Sequence, residues 1–329
     1  MNTNRVAEGI QLVPSLLPTD VKHSWEPRSS FVARQAWALA TALYSGESPA
    51  ELFKQQFRWA FCATLHAQAI YGWFQALQKP EMQLFAELNP GLMLKPLRVY
   101  VSVRWSINRK IKIMTDTYAF IRTHRALLDA LVRPDGITLA QFDIADYAGV
   151  RVVLDYDNRY RKEGELVVSL YHEALGGPVI ALAFALERLQ NGEWAMYIGC
   201  IQGLSGVDNK SISKAMHGLW PKIFIVSAAQ EIARKLGVSH VYGISDAIHS
   251  HRKKRLVYIP SRHALAFDYN GLWEEVGGVA AREGWYELPL TMERRPYEEM
   301  KSNKRAMYKR RYALLDDISE QLGTALQHS

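Results

Sequence analysis

Two short stretches of this chain carry the residue types that acid–base chemistry needs. Residues 246–255, DAIHSHRKKR, hold Asp246, His249 and His251, followed by Arg252, Lys253, Lys254 and Arg255. Either histidine can act as a general base, with Asp246 orienting it. The His-Ser-His pair offers two metal ligands, and without a third no metal is expected. The four cations favour an anionic ligand, be it phosphate, lipid head group or nucleic acid. A solvated basic loop is the competing reading. The second stretch, HGLWPK at 217–222, sets His217, Gly218 and Lys222 around Pro221. Backbone N–H groups, a helix dipole and the Lys222 ammonium would hold a phosphate or carboxylate there. A plain turn with a solvated lysine is the alternative. Glu275, beside Glu274 in LWEEVGG, is a further candidate base, or half of a surface pair next to Trp273. Cys200 lies in an apolar run and reads as an inert buried thiol rather than a nucleophile.

The C-terminal segment adds charge. Arg294, Arg295, Lys301, Lys304, Arg305, Lys309, Arg310 and Arg311 are interspersed with Met300, Met307, Tyr308 and Tyr312. On a helix, Lys301, Lys304, Arg305 and Arg311 share one broad face, which suits RNA, tRNA or an anionic membrane surface. A solvated helix with its aromatics turned inward fits equally.

Residues 193–246 must position the first two stretches. They read strand, polar loop, long helix, strand. Trp194, Met196, Ile198 and Cys200 alternate with uncharged neighbours, as in a strand buried on both faces. Pro221 suits a first helical turn. Ile223, Val226, Ile232 and Leu236 form the helix's apolar stripe, and Gly237 stops it just after Arg234 and Lys235. Such a unit makes a right-handed parallel crossover, whose loops lie where open α/β sheets bind ligands. Ahead of it, VRVVLDYDN, ELVVSLYHE and VIALAFALERL read as antiparallel strands joined by RYRKEG, ALGGP and NGE turns. After it come a strand at LVYIPS, a short helix at FDYNGLWEEVGG and a last strand at GWYELPL.

The first half reads as helical. Residues 1–30 are a loose lead-in with Pro14, Pro18 and Pro27. A helix runs from Phe31 to Gly46. Ser48 and Pro49 start another that continues to about Leu77, closed by Pro80. Its aromatic residues, Phe53, Phe57, Trp59, Phe61, Tyr71, Trp73 and Phe74, with Trp37 before them, are expected to fill a helix–helix core. A membrane-lying pair is the alternative, against which stands the missing row of lysines and arginines. A short strand is expected at Val99 to Val103 and a helix from Ser106 to Leu131, with His124 on its surface. The stretch 133–150 is a boundary with Pro134-Asp135-Gly136 turn chemistry. The fold class is therefore α+β. A lead-in at 1–30 precedes a helical region at 31–135, a mainly antiparallel sheet domain with one long crossover helix at 136–293, and a basic C-terminal helix at 294–329.

The totals narrow the classes. The chain has 329 residues, 48% of them hydrophobic and 22% charged, which fits a globular protein. The net charge of +7 is concentrated near the C-terminus, so a local anionic partner is favoured over general basicity. Cys62 and Cys200 allow no disulfide framework and no CxxC knuckle, which fits a reduced cytoplasmic setting. The N-terminus lacks the pattern of a secretory signal. No run reaches the ~18–20 apolar residues of a spanning helix.

The element order in the second half resembles the GNAT acyltransferase fold. In that fold the loop after the fourth strand receives the pyrophosphate of acyl-coenzyme A at the N-terminus of the long helix. By that resemblance Gln202, Gly203, Ser205 and Gly206 open a cofactor loop that ends at His217, Gly218 and Lys222. The spacing from Gln202 to Gly206 departs from the family's pattern, and residues 207–220 lengthen the loop. More specifically, KPLRVYVS (95–102), YIGCIQG (197–203), HGLWPK (217–222), GISDAIHSHRKKR (243–255), YNGLWEEVGG (269–278), LPL (288–290) and KSNKRAMYKRRYALLDDI (301–318) resemble the VirK/YbjX family of Gram-negative bacteria. By the same resemblance a basic residue is expected in many relatives at the position of Trp220, which weakens an anion-binding role there. The resemblance implies a cytoplasmic bacterial protein, linked to virulence and to resistance against cationic antimicrobial peptides through envelope or lipid A changes; the expected localisation is cytoplasmic, with a position peripheral to the inner membrane as the alternative. The combined expectation is a GNAT-like enzyme that transfers an acyl or aminoacyl group from acyl-coenzyme A or aminoacyl-tRNA. Its base would be His249, His251 or Glu275. The alternative is a non-catalytic basic accessory protein that binds nucleic acid or an anionic membrane surface.

Overall fold

Pro49 and Pro80 each open a helix at its first turn, where a missing N–H costs nothing. In the computed structural model, which describes residues 26–203, 208–250 and 267–327, the chain divides into two compact units. The first takes the residues up to Tyr100 together with Trp105–Ala119, and the second takes Val101–Arg104 and the chain from Phe120 onward.

In the first unit α1 (Arg28–Leu43), α2 (Pro49–Leu65), α3 (Ala67–Leu77) and α4 (Pro80–Leu88) lead through a 3-10 stretch at Pro90–Leu97 to α5 (Ile107–Arg122). Ser48 caps α2 by accepting the Glu51 N–H. The single helix expected from Ser48 to Leu77 is two helices, because His66 leaves the helical region at φ −121° and ψ 31°. Just before it the Thr64 hydroxyl donates back to the Ala60 carbonyl at 2.9 Å, a local bond that competes with the helix ladder. Pro80 opens α4 instead of closing a helix: Lys79 ahead of it is extended, as a residue before proline prefers. Trp59, Trp73 and Phe74 are fully buried, as expected of core aromatics, but Phe53, Phe57 and Phe61 are exposed.

The helix expected from Ser106 to Leu131 also breaks. Thr123 donates both its N–H and its hydroxyl to the Phe120 carbonyl, which a continuing helix would offer to His124. The chain restarts as α6 (Arg125–Val132). The expected strand at 99–103 is absent: Val101 has φ 53°, a sign that breaks strand alternation, and an isolated bridge pairs Ser102 with His249.

Among the described residues the second unit is built on an eight-stranded sheet. Its strands are β1 (Ile137–Ile144), β2 (Tyr147–Asp155), β3 (Leu166–His172), β4 (Gly177–Arg188), β5 (Trp194–Gly203), β6 (His240–Ile244), β7 (Val279–Ala280) and β8 (Trp285–Leu288), in the spatial order β1-β2-β3-β4-β5-β6-β8-β7. β1 lies inside the stretch read as a boundary, where turn residues at both ends mask an alternating ITLAQFDI. β5 and β6 are parallel, and the other pairings are antiparallel. Between them run α7 (Asn209–Ala215) and the crossover helix α8 (Pro221–Lys235). α8 is buried over far more than the expected stripe, from Phe224 through Gln230 and again at Ile232 and Ala233. The sheet lies on one side of it, and α10 (Ser302–Gln327) packs on another. The short helix α9 (Tyr269–Glu275) packs on β6. A Cβ on Gly243 would come within 2.4 Å of the Trp273 ring, and the Trp273 indole N–H donates to the Ile244 carbonyl at 2.7 Å. The strand expected at LVYIPS lies outside the described residues.

Candidate functional site

The parallel pair β5–β6 ends where Gly199 follows its last paired residue of β5. Pairing runs from Ala195 opposite His240 to Ile198 opposite Gly243. At the next residue β5 is irregular: Ala183 pairs with Cys200 and Phe184 with Ile198, which leaves Gly199 as an extra residue. Such a bulge bends a strand and re-aims the side chains beyond it, and bulges are over-represented beside active sites. Only a glycine fits, because a Cβ there would lie 1.9 Å from the Glu163 carbonyl oxygen. The turn bearing Glu163 crosses the sheet just as closely at Gly164, where a Cβ would meet the Phe184 backbone at 2.5 Å. Two glycines thus let the RYRKEG turn lie across β4 and β5.

Past the bulge, the edge of β5 that faced β6 is taken by a side chain. The Tyr269 hydroxyl accepts the Ile201 N–H and donates to the Ile201 carbonyl, both at 3.1 Å. His249 stacks on the Tyr269 ring at 4.9 Å. The Ser250 hydroxyl donates to the Glu163 carboxylate at 3.0 Å. Glu163, His249 and Ser250 are all buried. Burial pushes the Tyr269 phenol well above its ordinary value. It does the same to the Cys200 thiol, and the Glu163 charge adds to that rise. Cys200 is therefore a thiol in the floor of the cluster, as the sequence suggested, since the thiolate is the nucleophilic form. The segment Val101–Arg104 borders the cluster. The Val101 N–H donates to the Lys162 carbonyl at 2.6 Å, and the Val103 N–H donates to the Ile248 carbonyl at 3.0 Å. A β-branched residue at positive φ, such as Val101, is a strained position of a kind that gathers at functional sites. The cluster lies at the carboxyl ends of the parallel strands, where open sheets bind ligands.

Other expected site residues occupy different places. Asp246 does not reach toward a histidine in the bonds it makes: its carboxylate accepts the Tyr269 N–H at 3.4 Å and its own N–H donates to the Asn270 side chain. Glu275 and Lys222, one expected as a base and the other as an anion ligand, pair with each other at 2.7 Å on the surface. Gln202 and Gly203 are exposed at the end of β5, opposite Ala181 and Ile180. Gly206, His251, Arg252, Lys253, Lys254 and Arg255 lie outside the described residues. Among the described residues no group of three or more His, Cys, Asp or Glu side chains is arranged to hold a metal ion.

The start of α8 is tied to α10. His217 and Gly218 both have positive φ, 55° and 77°, which turns the chain from α7 into α8. The turn exposes the His217 carbonyl, and Arg311 donates to it through Nε at 3.1 Å and Nη2 at 2.9 Å. A Cβ on Gly218 would fall 2.8 Å from the same guanidinium. Arg311 is thus a docking residue rather than a member of a free cationic face. Lys301, Lys304, Arg305, Lys309 and Arg310 remain exposed on the first half of α10 and just ahead of it, with no acidic residue in its first turn. Burial, then the charges of Arg310 and Arg311, hold the His217 imidazole below its usual value. The mouth of α8 is therefore a cationic place.

Glu163, Ser250 and Tyr269 were not among the residues singled out from sequence. Glu163 sits in a turn of charged residues that looks solvated. The signal that could have found it is the pair of glycines, Gly164 and Gly199, at which two backbones touch.

A family model described as "Protein of unknown function (DUF535)" matches residues 50–324, and the chain belongs to that family. It is 29% identical over 251 residues to "Uncharacterized protein YbjX" of Escherichia coli (strain K12), covering 74% of this chain and 75% of the relative. An "Uncharacterized protein" of Haemophilus influenzae is 32% identical over 162 residues, 48% of this chain and 51% of its own length. "Membrane protein LapB" of Mannheimia haemolytica is 23% identical over 213 residues, 63% of this chain and 90% of its own length. No solved structure matches the chain.

Proposed function

We propose that the chain transfers an acyl or aminoacyl group from an anionic donor, acyl-coenzyme A or aminoacyl-tRNA, at the point where β5 parts from β6. The observation that carries this reading is the buried cluster of Glu163, Ser250 and His249 beside the Gly199 bulge. His249 takes the proton from the acceptor's N–H or O–H as that atom attacks the donor carbonyl. The acceptor–acyl bond forms, the donor's thioester or ester bond breaks, and the proton passes to the leaving sulfur or oxygen. Glu163 is a positioning residue, which fixes the loop bearing His249 through Ser250. Phosphates of the donor meet the cations of α10, which Arg311 holds at the mouth of α8. The sheet order, with its lone parallel pair spanned by α8, supports a GNAT-like plan, but fold alone does not give function.

The exposed cations Lys301, Lys304, Arg305, Lys309 and Arg310 also favour a second reading, in which the chain is a non-catalytic binder of nucleic acid or an anionic membrane surface. A relative bears the name "Membrane protein LapB", and an acceptor or a partner in the envelope accords with that. A single-turnover assay separates the readings. Labelled acyl-coenzyme A and aminoacyl-tRNA are incubated with the intact chain and a Gram-negative envelope extract. Transfer of label to an envelope component by the wild-type chain, falling by ~100-fold or more in His249→Gln, supports the transferase. Donor binding without any transfer leaves the binder as the surviving reading.

A further inference from the structure

Helix α2 carries an apolar stripe that no part of the described chain covers. Phe53, Phe57, Phe61 and Leu65 are spaced four apart, so they follow one face of the helix. Each of them is between 53% and 63% exposed. Trp37 from α1 extends the patch, lying edge-on to Phe53 at 5.8 Å, and Phe57 stacks on Phe61 at 6.2 Å. Such side chains carry ~150–250 Å² each, so the exposed parts sum to on the order of 500 Å². That is at the upper end of what a monomer leaves bare. It falls short of the roughly 800 Å² per partner that a stable dimer buries.

Charge narrows the occupant. The stripe contains no acidic residue. Lys54 and Arg58, each next in sequence to one of its phenylalanines, border it on one side and are exposed. Glu51, the one acid of α2, is drawn off by Lys54 at 2.9 Å and Gln55 at 2.6 Å. The Arg58 guanidinium lies over the Trp59 ring at 4.6 Å. Two cations do not make the rows of lysine and arginine that hold a helix to an anionic surface, so the apolar stripe itself, free of acidic residues, is what would enter a bilayer interface. No described helix is long and apolar enough to cross a membrane, so the contact would be peripheral.

We infer that α2 docks this protein on a lipid bilayer, its phenylalanines entering the head-group boundary. This goes beyond the transferase reading and does not rest on it. The test is co-sedimentation of the full chain with phosphatidylcholine vesicles at high salt, where electrostatic attraction through α10 is screened. The wild-type chain is expected to bind, and the Phe57→Ser/Phe61→Ser double variant to partition at least ~10-fold less. Because both rings are exposed, its circular dichroism and melting point should match the wild type. Phe57→Leu/Phe61→Leu keeps apolar side chains on the same exposed face and should hold partition within a few-fold of the wild type, a rescue that a merely structural effect of the serines would not produce. Equal partition of the wild type and the serine variant overturns the inference. So does light scattering that shows a wild-type dimer in the absence of vesicles and a monomer for the serine variant, which would assign the stripe to a second copy. Failure of α10 substitutions to alter donor binding would count against the transferase reading and leave this result untouched.

Discussion

Removing one oxygen atom tests whether Tyr269 closes the gap between β5 and β6. Tyr269→Phe keeps the ring, its stack on His249 and its contact with Trp273 at 6.1 Å. It deletes the partner of two backbone groups, the Ile201 N–H and carbonyl. Ile201 is 3% exposed, and a buried polar group left unpaired costs about 1–3 kcal/mol. The two together should destabilise the second unit by about 2–6 kcal/mol. Because the chain divides into two compact units, one global unfolding free energy is a poor readout. Native-state hydrogen exchange at the Ile201 amide reads the site itself. A loss of about 2 kcal/mol corresponds to roughly 30-fold faster exchange there, with amides of the first unit unchanged. Unaltered protection at Ile201 would refute the assignment of Tyr269 as its partner.

Gly199→Ala places a Cβ 1.9 Å from the Glu163 carbonyl and should cost roughly 3 kcal/mol, the upper end for overpacking. A lower melting temperature would show it, whereas Gly46→Ala, with nothing within 4 Å, should melt as the wild type does. Burial, then the charge of Asp157, raises the Asp155 carboxyl to about 7, against the pull of Arg159. The folded chain then keeps a proton that the unfolded chain releases near pH ~4. The corresponding stability is full below that pH and is lost as pH climbs to about 7. Relative to Asp155→Asn, the wild type should lose up to ~1.4 kcal/mol per pH unit across that window, read as the protection of β2 amides in native-state hydrogen exchange at pH 5 and pH 8, corrected for intrinsic exchange; a constant difference would contradict it. Cys200 is buried and its thiol pKa is raised, while Cys62 is half-buried. Ellman's reagent should therefore titrate one thiol in the native chain and two in denaturant.

The strand–helix–strand core was legible because three signals agreed there: apolar alternation in β5, Pro221 at the first turn of α8 and Gly237 after its end. The helix breaks at His66 and His124 were not. Each depends on a threonine hydroxyl turning back onto a carbonyl, and threonine within an apolar periodicity gives no hint of which bond it will choose. Phe53, Phe57 and Phe61 were expected in a core because aromatics usually lie there, while Trp59, one turn-step off the stripe, does lie there. Which rings face a neighbour is decided by how α1 and α3 cross α2, a tertiary fact. At the site, His249 could be singled out from its residue type, but its neighbours could not. Glu163 and Tyr269 arrive from sequence positions 86 residues before and 20 after it, and no local pattern joins them. Arg311 looked like one more cation of a basic face until its two bonds to the His217 carbonyl set it apart from Lys304 and Arg310.

The central claim is that the α10 cations receive the phosphates of an anionic donor beside α8. Its most direct measurement is a salt series of equilibrium binding, by fluorescence anisotropy, of labelled tRNA and of a coenzyme A derivative. The intact chain is compared with a Lys304→Ala/Arg305→Ala/Lys309→Ala/Arg310→Ala variant. We predict that the wild type binds one of the two probes with an affinity that falls steeply with salt. In the variant binding should weaken at low salt, and the slope of log affinity against log salt should shrink by about 0.7–0.9 for each phosphate contact removed. The same affinity and slope in both proteins, for both probes, would contradict the account.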